Sequence, residues 1–464
     1  MASGHSDTDH PVDTALLALI FSAGMTDTDA NGASLADQVS PDNTTGSTAS
    51  RFFRTLGPGL ITGASDDDPS GIGTYSQAGA QLGFGISWTM LFSFPLMVAI
   101  QEISARLGRT TGRGIGGNIC RHYPRPLVHG IVVLLLVANT INLGADLGAM
   151  GDALAMLIGG STKAYVVLFG VFCIAAQIFL QYARYVQVLK WLTLTLFAYV
   201  VALAAANVPW LEALVGTVVP TVTWNSDYFT TLVAIAGTTI SPYLFFWQAA
   251  QEAEEVRVEP ERTPLRWARW QAPAAFARIR TDTTVGMGFS NIIAIAIMIT
   301  TAATLNAHGI TNIETSSQAA EALRPIAGDF AYLIFALGII GTGLLGVPVL
   351  AGSAAYAIGE AWRAPVGLTR SPQEALIFYT TLGVATLVGI GLNFTPISPI
   401  QALYWSAVIN GVVALPIMVI LMMLTARSNI MGEFTVRGWL RGLGWVSTGA
   451  MALCVVGMGV SSFL

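Results

Sequence analysis

Asp66, Asp67 and Asp68 stand in a row near the middle of an otherwise apolar stretch, GPGLITGASDDDPSGIGTYSQAG, residues 57–79, and Pro69, Ser70 and Gly71 follow at once. A carboxylate buried in such a stretch is costly unless it is paired, solvated or bound to a cation, and three in a row repel one another. Pro69 has no N–H and Gly71 tolerates φ > 0, so the helix is expected to unwind here and to expose main-chain carbonyls beside the carboxylates. An oxygen-rich break of this kind suits a hard or borderline cation. The same string also reads as an ordinary helix start, with Asp68 as N-cap and Pro69 at the first helical position. A second interruption favours the cation reading. In TTLVAIAGTTISPYLFFWQAAQE, residues 230–252, Gly237, Thr238, Thr239, Ser241 and Pro242 again break an apolar segment with small and hydroxyl residues. Two broken helices suggest repeated halves with a transport site between them, whereas each alone is also compatible with a bare proline kink.

Other polar residues inside apolar segments carry weaker signals. Asp146 lies mid-segment, with Asn142 four residues earlier and Asn139 on a neighbouring face; a buried acid there could relay protons, attract cations, or be a satisfied structural group. Asp152 sits nearer the segment's end and reads as solvated. Glu102 and Arg106 form an i,i+4 pair. Asn291 and Asn410 read as interhelical hydrogen-bonding groups. None of the five His falls mid-segment, and Cys120, Cys173 and Cys454 give neither a disulfide framework nor a CxxC metal site. No GxSxG, HExxH or P-loop string occurs, so enzyme chemistry and nucleotide-driven pumping find no residues to carry them.

The elements that must position these groups are membrane helices. Of 464 residues, 53% are hydrophobic and only 11% charged, with 48 Gly, a composition that excludes disorder and argues against a water-soluble domain. A net charge of −5 with basic residues confined to loops gives no nucleic-acid face. Eleven apolar windows recur, at about 56–82, 85–106, 128–158, 163–181, 188–206, 228–251, 284–306, 329–360, 374–393, 398–425 and 441–463. With the N-terminus inside, 20 of the 22 Lys and Arg residues fall on the cytoplasmic side, leaving Lys163 and Arg324 outside. That asymmetry supports an odd number of spans. Residues 1–50, rich in Asp, Thr, Ser and Gly, are expected to be a disordered cytoplasmic tail, and residues 51–464 a transmembrane transport domain. The stretch from Glu252 to Thr283 reads as a solvated inner connector.

From about residue 56 onward the chain resembles the NRAMP family of divalent-metal transporters. The resemblance rests on LGPGLITGASDDDPSG, QEISARLGRTTGRG, GTTISPY, RTDTTVGMGFSNIIAIAIMITTAATL and LIFALGIIGTGLLGVPVLAG, in this order. It implies an all-α LeuT-like fold of about eleven helices, with 5+5 inverted repeats over about 56–206 and 228–425, broken helices 1 and 6, and a last helix at about 441–463. It also implies a multi-pass protein of the plasma (inner) membrane with a cytoplasmic N-terminus, no resident cofactor, and a divalent ion, Mg²⁺ or Mn²⁺, as cargo. No oligomer is implied.

Matched against the family's first-helix pattern Asp-Pro-Gly-Asn, Asp68 and Pro69 are kept, Ser70 replaces Gly, and Gly71 replaces the metal-binding Asn. Against Met-Pro-His in the sixth helix only Pro242 is kept; Ser241 replaces the metal-binding Met and Tyr243 the His. The carbonyl-donating positions correspond to Ser65 and Thr238, and Asp146 to an acid tied to proton movement. Loss of the thioether removes the soft ligand that favours Mn²⁺, Fe²⁺ or Cd²⁺, and oxygen donors favour harder ions. In this the pattern is similar to the NRAMP-related magnesium-transporter branch. The expected function is secondary-active divalent-metal uptake by alternating access, with Asp68 as central ligand supported by Asp67 or Asp66, Ser65, Thr238 and Ser241. Two rival readings are a LeuT-type Na⁺-coupled carrier of a small organic solute and a metal-binding membrane sensor without turnover.

Overall fold

The computed structural model describes residues 62–63, 65–179, 196–324 and 328–463, all within one compact unit, Arg54–Leu464. The expected tail, the start of the first window, Arg184, Lys190 and the start of the fifth window lie outside the described residues.

Helices occupy every predicted window. They are α1 (Pro69–Leu82), α2 (Trp88–Thr111), α3 (Ile115–His122), α4 (Arg125–Ile158), α5 (Thr162–Phe179), α6 (Phe197–Ala205), α7 (Trp210–Val218), α8 (Ser226–Thr239) and α9 (Pro242–Val258). After these come α10 (Ala272–Thr304), α11 (Ser316–Glu321), α12 (Ala331–Ala361), α13 (Leu376–Leu392), α14 (Pro399–Thr425), α15 (Ser428–Met431) and α16 (Gly438–Ser461). Among the described residues eight helical segments are long and apolar enough to cross a membrane, α8 and α9 counting as one, and α13 is a shorter apolar helix. Large apolar side chains such as Phe92, Val133, Phe172, Leu387 and Leu453 face outward, as lipid contact requires, because hydrocarbon exacts no penalty from them.

Local chemistry sets the helix ends. Asn225 caps α8 by accepting the Tyr228 N–H at 2.7 Å, and prolines open α1, α9 and α14 where the missing N–H is harmless. Packing is then governed by small residues. Gly237 on α8 lies so close to α14 that a Cβ would overlap the backbone of Ala407 and Gly411. With no hydrophobic drive between helices in lipid, such close backbone approach is what holds them. Helix α1 is surrounded by α4, α8, α10, α12 and α14, and the two broken helices therefore sit at the centre of the bundle.

One expectation is corrected. The connector in the stretch from Glu252 to Thr283 is confined to residues 259–271, which are mostly exposed or half-buried, because α9 continues to Val258 and α10 begins at Ala272. Glu252 and Glu254 are buried. Glu252 pairs with Arg278 at 2.6 Å, and Glu254 accepts from the Tyr356 hydroxyl and from the Thr369 N–H and hydroxyl. Charged residues pair across two facing helices, so their polarity did not mark a loop. Asp152 is also not merely solvated, since it accepts the Ser316 hydroxyl at 2.5 Å and ties α4 to α11. Helices α3, α7 and α11 fall between the predicted windows, being too short to register as spans.

The basic segments gather at one end. Arg109 bonds the Thr263 carbonyl and Gln271, Arg427 lies over Tyr123, Arg269 pairs with Glu433, and Arg280 lies over Trp439. The Arg-bearing segments of α2, α9–α10 and the stretch from the end of α14 into α16 thus meet in one layer.

Candidate metal site at two helix breaks

The helix before Asp67 ends and α1 starts at Pro69, with Asp68 as N-cap at φ −64°, ψ 171°. The N-cap reading and the break reading therefore describe the same structure: Asp68 caps a helix that begins inside the bundle. Asp66, Asp67 and Asp68 are each at most 1% exposed. In the second interruption α8 ends at Thr239, Ile240 and Ser241 are non-helical, and Pro242 opens α9.

The two prolines do more than interrupt. In a continuous helix the N–H of residue 69 would bond the carbonyl of Ser65, and that of residue 242 the carbonyl of Thr238; proline supplies neither. Ser65 and Thr238, the two positions singled out as carbonyl donors, are the ones whose intrahelical partners the prolines remove. At the second break the nearer carbonyls are otherwise engaged: Ala236 accepts the Ile240 N–H, and Gly237 accepts the Ser241 hydroxyl at 2.5 Å. Donating its proton leaves the Ser241 oxygen with its lone pairs.

Asp68 is the hub. Its Oδ1 accepts the Ser70 hydroxyl at 2.6 Å and the Gly71 N–H at 2.9 Å. Its Oδ2 accepts from Asn142 Nδ2 at 3.1 Å and faces the Tyr243 hydroxyl at 3.0 Å. That hydroxyl also stands 2.9 Å from the Ser65 carbonyl. It has one proton for two acceptors, so Tyr243 of α9 bridges two oxygens of the first break. Contact between the breaks is closed on the other side by Gly71, where a Cβ would stand 2.9 Å from the Asp66 carbonyl and 3.3 Å from the Thr238 hydroxyl. Gly71 thus contributes room, and its N–H is already given to Asp68.

The three aspartates divide into two groups. Asp66 Oδ2 and Asp67 Oδ1 both accept from the Ser290 hydroxyl of α10, at 2.5 and 3.1 Å, while Asp66 Oδ1 and Asp67 Oδ2 are buried without hydrogen-bond partners. Among the described residues no three His, Cys, Asp or Glu converge to hold a metal. A cation held here would draw on one carboxylate and neutral oxygens. Asp146 is fully buried on α4 with no well-formed hydrogen bond to either oxygen. It borders Gly346 of α12, where a Cβ would lie 3.6 Å from Asp146 Oδ2 and 2.9 Å from Asp68 Cβ.

Several contributors were not tied to Asp68 by the sequence. Asn142 touches Asp68 directly, and its own Oδ1 accepts from Ser406 at 2.8 Å and Asn410 at 3.3 Å, so α14 orients the amide that orients the carboxylate. Ser290 was visible only as a hydroxyl inside an apolar window. Thr62 donates to Gln248 at 2.5 Å, a second link between the segment before Asp68 and α9.

Residues 59–461 match the family described as natural resistance-associated macrophage protein-like, Nramp. The divalent metal cation transporter MntH of Klebsiella pneumoniae subsp. pneumoniae is 26% identical over 399 residues, covering 84% of this chain and 90% of its own. The MntH of Deinococcus radiodurans is 25% identical over 408 residues, covering 85% and 87%. In three dimensions the chain is similar to the manganese transporter of Eremococcus coleocola, with TM-score 0.68, 16% identity and coverage of 90% and 88%. It is also similar to MhsT solved with L-phenylalanine, with TM-score 0.58, 12% identity and coverage of 86% and 98%. With the family match spanning both helix breaks and the bundle around them, the chain belongs to the Nramp family, membrane proteins that are not enzymes, and has the LeuT-like all-helical fold.

Proposed function

We propose that the protein is a secondary-active transporter of divalent metal cations, taking up Mn²⁺ or Mg²⁺ by alternating access. The observation that carries this reading is the meeting of Asp68 with the second helix break inside the bundle, where one buried carboxylate faces a set of neutral oxygens. Asp68 is the anchoring ligand. The Ser65 and Thr238 carbonyls and the Ser241 oxygen complete the shell, and Asp66 and Asp67 add negative potential from beside it. A cation entering between Asp68 Oδ2 and the Ser65 carbonyl takes over the bridge that the Tyr243 hydroxyl makes without it. Support also comes from relatives named as divalent metal cation transporters and from a neighbouring structure named as a manganese transporter. An all-oxygen donor set favours Mn²⁺ and Mg²⁺ over Cd²⁺. Asp146, buried close to Asp68, is the group for any coupled proton. The Arg-rich end is read as cytoplasmic, in keeping with the positive-inside rule.

The test is a proteoliposome flux panel of Mg²⁺, Mn²⁺, Fe²⁺, Ca²⁺ and Cd²⁺ with an internal pH dye. Wild type is expected to carry Mn²⁺ or Mg²⁺, and Asp68→Asn to lose flux by more than about a hundredfold, beyond the loss typical of a supporting residue. Undiminished metal flux in Asp68→Asn would sink the proposal, as would wild-type uptake of amino acids without any metal flux.

A further inference from the structure

At the Arg-rich end a cavity of about 260 Å³ opens between the α2–α3 turn, the end of α9 and the end of α12. Four arginines line it, Arg113, Arg121, Arg257 and Arg363, with a single carboxylate, Glu360. That carboxylate is already committed, since its oxygens accept the Gly114 and Gly117 N–H groups at 2.7 and 2.9 Å. Among the described residues none of the four arginines forms a salt bridge, and Arg257 bonds only the Val366 carbonyl, at 3.2 Å. Desolvation, and after it the proximity of Arg121 and Arg266, holds the Arg113 guanidinium below its ordinary pKa. Arg363 is the sole non-glycine at positive φ among the described residues, at 57°, where it closes the end of α12 in a left-handed cap, the Ala364 N–H bonding the Gly359 carbonyl at 2.8 Å.

We propose that this cavity is an anion site that takes a phosphate group, presented by a lipid headgroup or as the free ion. Four positive charges against one carboxylate leave the cavity with an excess of positive charge until an anion enters. Planar guanidiniums are the side chains that grip phosphate oxygens in pairs. The volume leaves room for a tetrahedral oxyanion with waters of about 30 Å³ each. A headgroup source fits the surroundings. Trp362, 53% exposed beside Arg363, stacks on His129 at 5.8 Å, the kind of aromatic pair that sits at headgroup level. Basic pockets at the ends of membrane helices are suited to anionic headgroups.

The test uses the full-length protein in detergent, with its melting temperature followed against inorganic phosphate and, separately, against micelles carrying phosphatidylglycerol or phosphatidylcholine. Stabilisation by phosphatidylglycerol alone supports the site with a headgroup occupant, and stabilisation by inorganic phosphate supports it with the free ion. Arg121→Gln and Arg363→Gln, both exposed, are each expected to raise the half-saturating concentration about tenfold, as loss of a charge-assisted bond does. Arg324→Gln, paired with Glu321 away from the cavity, leaves it unchanged. The proposal is overturned if neither phosphate source stabilises, if phosphatidylcholine stabilises equally, or if the Arg121 and Arg363 variants respond like wild type.

Discussion

At the residue scale the site is a problem of oxygen donors. In the proposed site Ser241 takes the position of a thioether in the pattern the chain resembles, and its oxygen, with the hydroxyl proton given to the Gly237 carbonyl, has lone pairs to offer. Ser241→Met is therefore expected to raise the ratio of Cd²⁺ to Mn²⁺ flux severalfold, because sulfur favours the softer ion. Competition of Cd²⁺ against labelled Mn²⁺ in proteoliposomes reads this out, and an unchanged ratio removes the soft-ligand account. Asp68 was legible in the sequence because a charge beside a proline in an apolar stretch has few structural reasons to be there. Asn142 and Ser290 were not. Amides and hydroxyls occur in many membrane helices, and only the fold brings Asn142 to within 3.1 Å of Asp68 and Ser290 to both Asp66 and Asp67.

At the element scale the proposed site depends on two half-helices held against their neighbours. Helix α8 is pinned to α14 through Gly237, and α12 presents Gly346 to Asp68. Gly237→Ala is expected to destabilise the protein by about 1–3 kcal/mol, the usual result of overpacking a tight contact. A lowered melting temperature checks it, and an unchanged one would mean that the α8–α14 contact relaxes freely. The spans themselves were readable from apolar length, with the broken pair marked by Pro69 and Pro242. The ends of the Glu252–Thr283 segment were misread for a physical reason: composition treats charge as exposure, while Glu252 and Arg278 pair across two helices.

At the scale of the whole molecule, the asymmetry of Lys and Arg counted along the sequence corresponds to a layer of contacts among Arg-bearing segments at one end of the bundle. With Cys120, Cys173 and Cys454 replaced by Ala, a membrane-impermeant thiol reagent applied to intact cells is expected to label Lys163→Cys and to spare Arg370→Cys. The opposite pattern would invert the orientation.

The most direct test of the central claim is anomalous diffraction at the manganese edge from crystals grown with Mn²⁺. The account predicts one strong peak between the two helix breaks, at a coordination distance of about 2.0–2.6 Å from an Asp68 carboxylate oxygen and in contact with oxygens of residues 238–241. A peak lying away from Asp68, or the same peak in Asp68→Asn crystals, would contradict it.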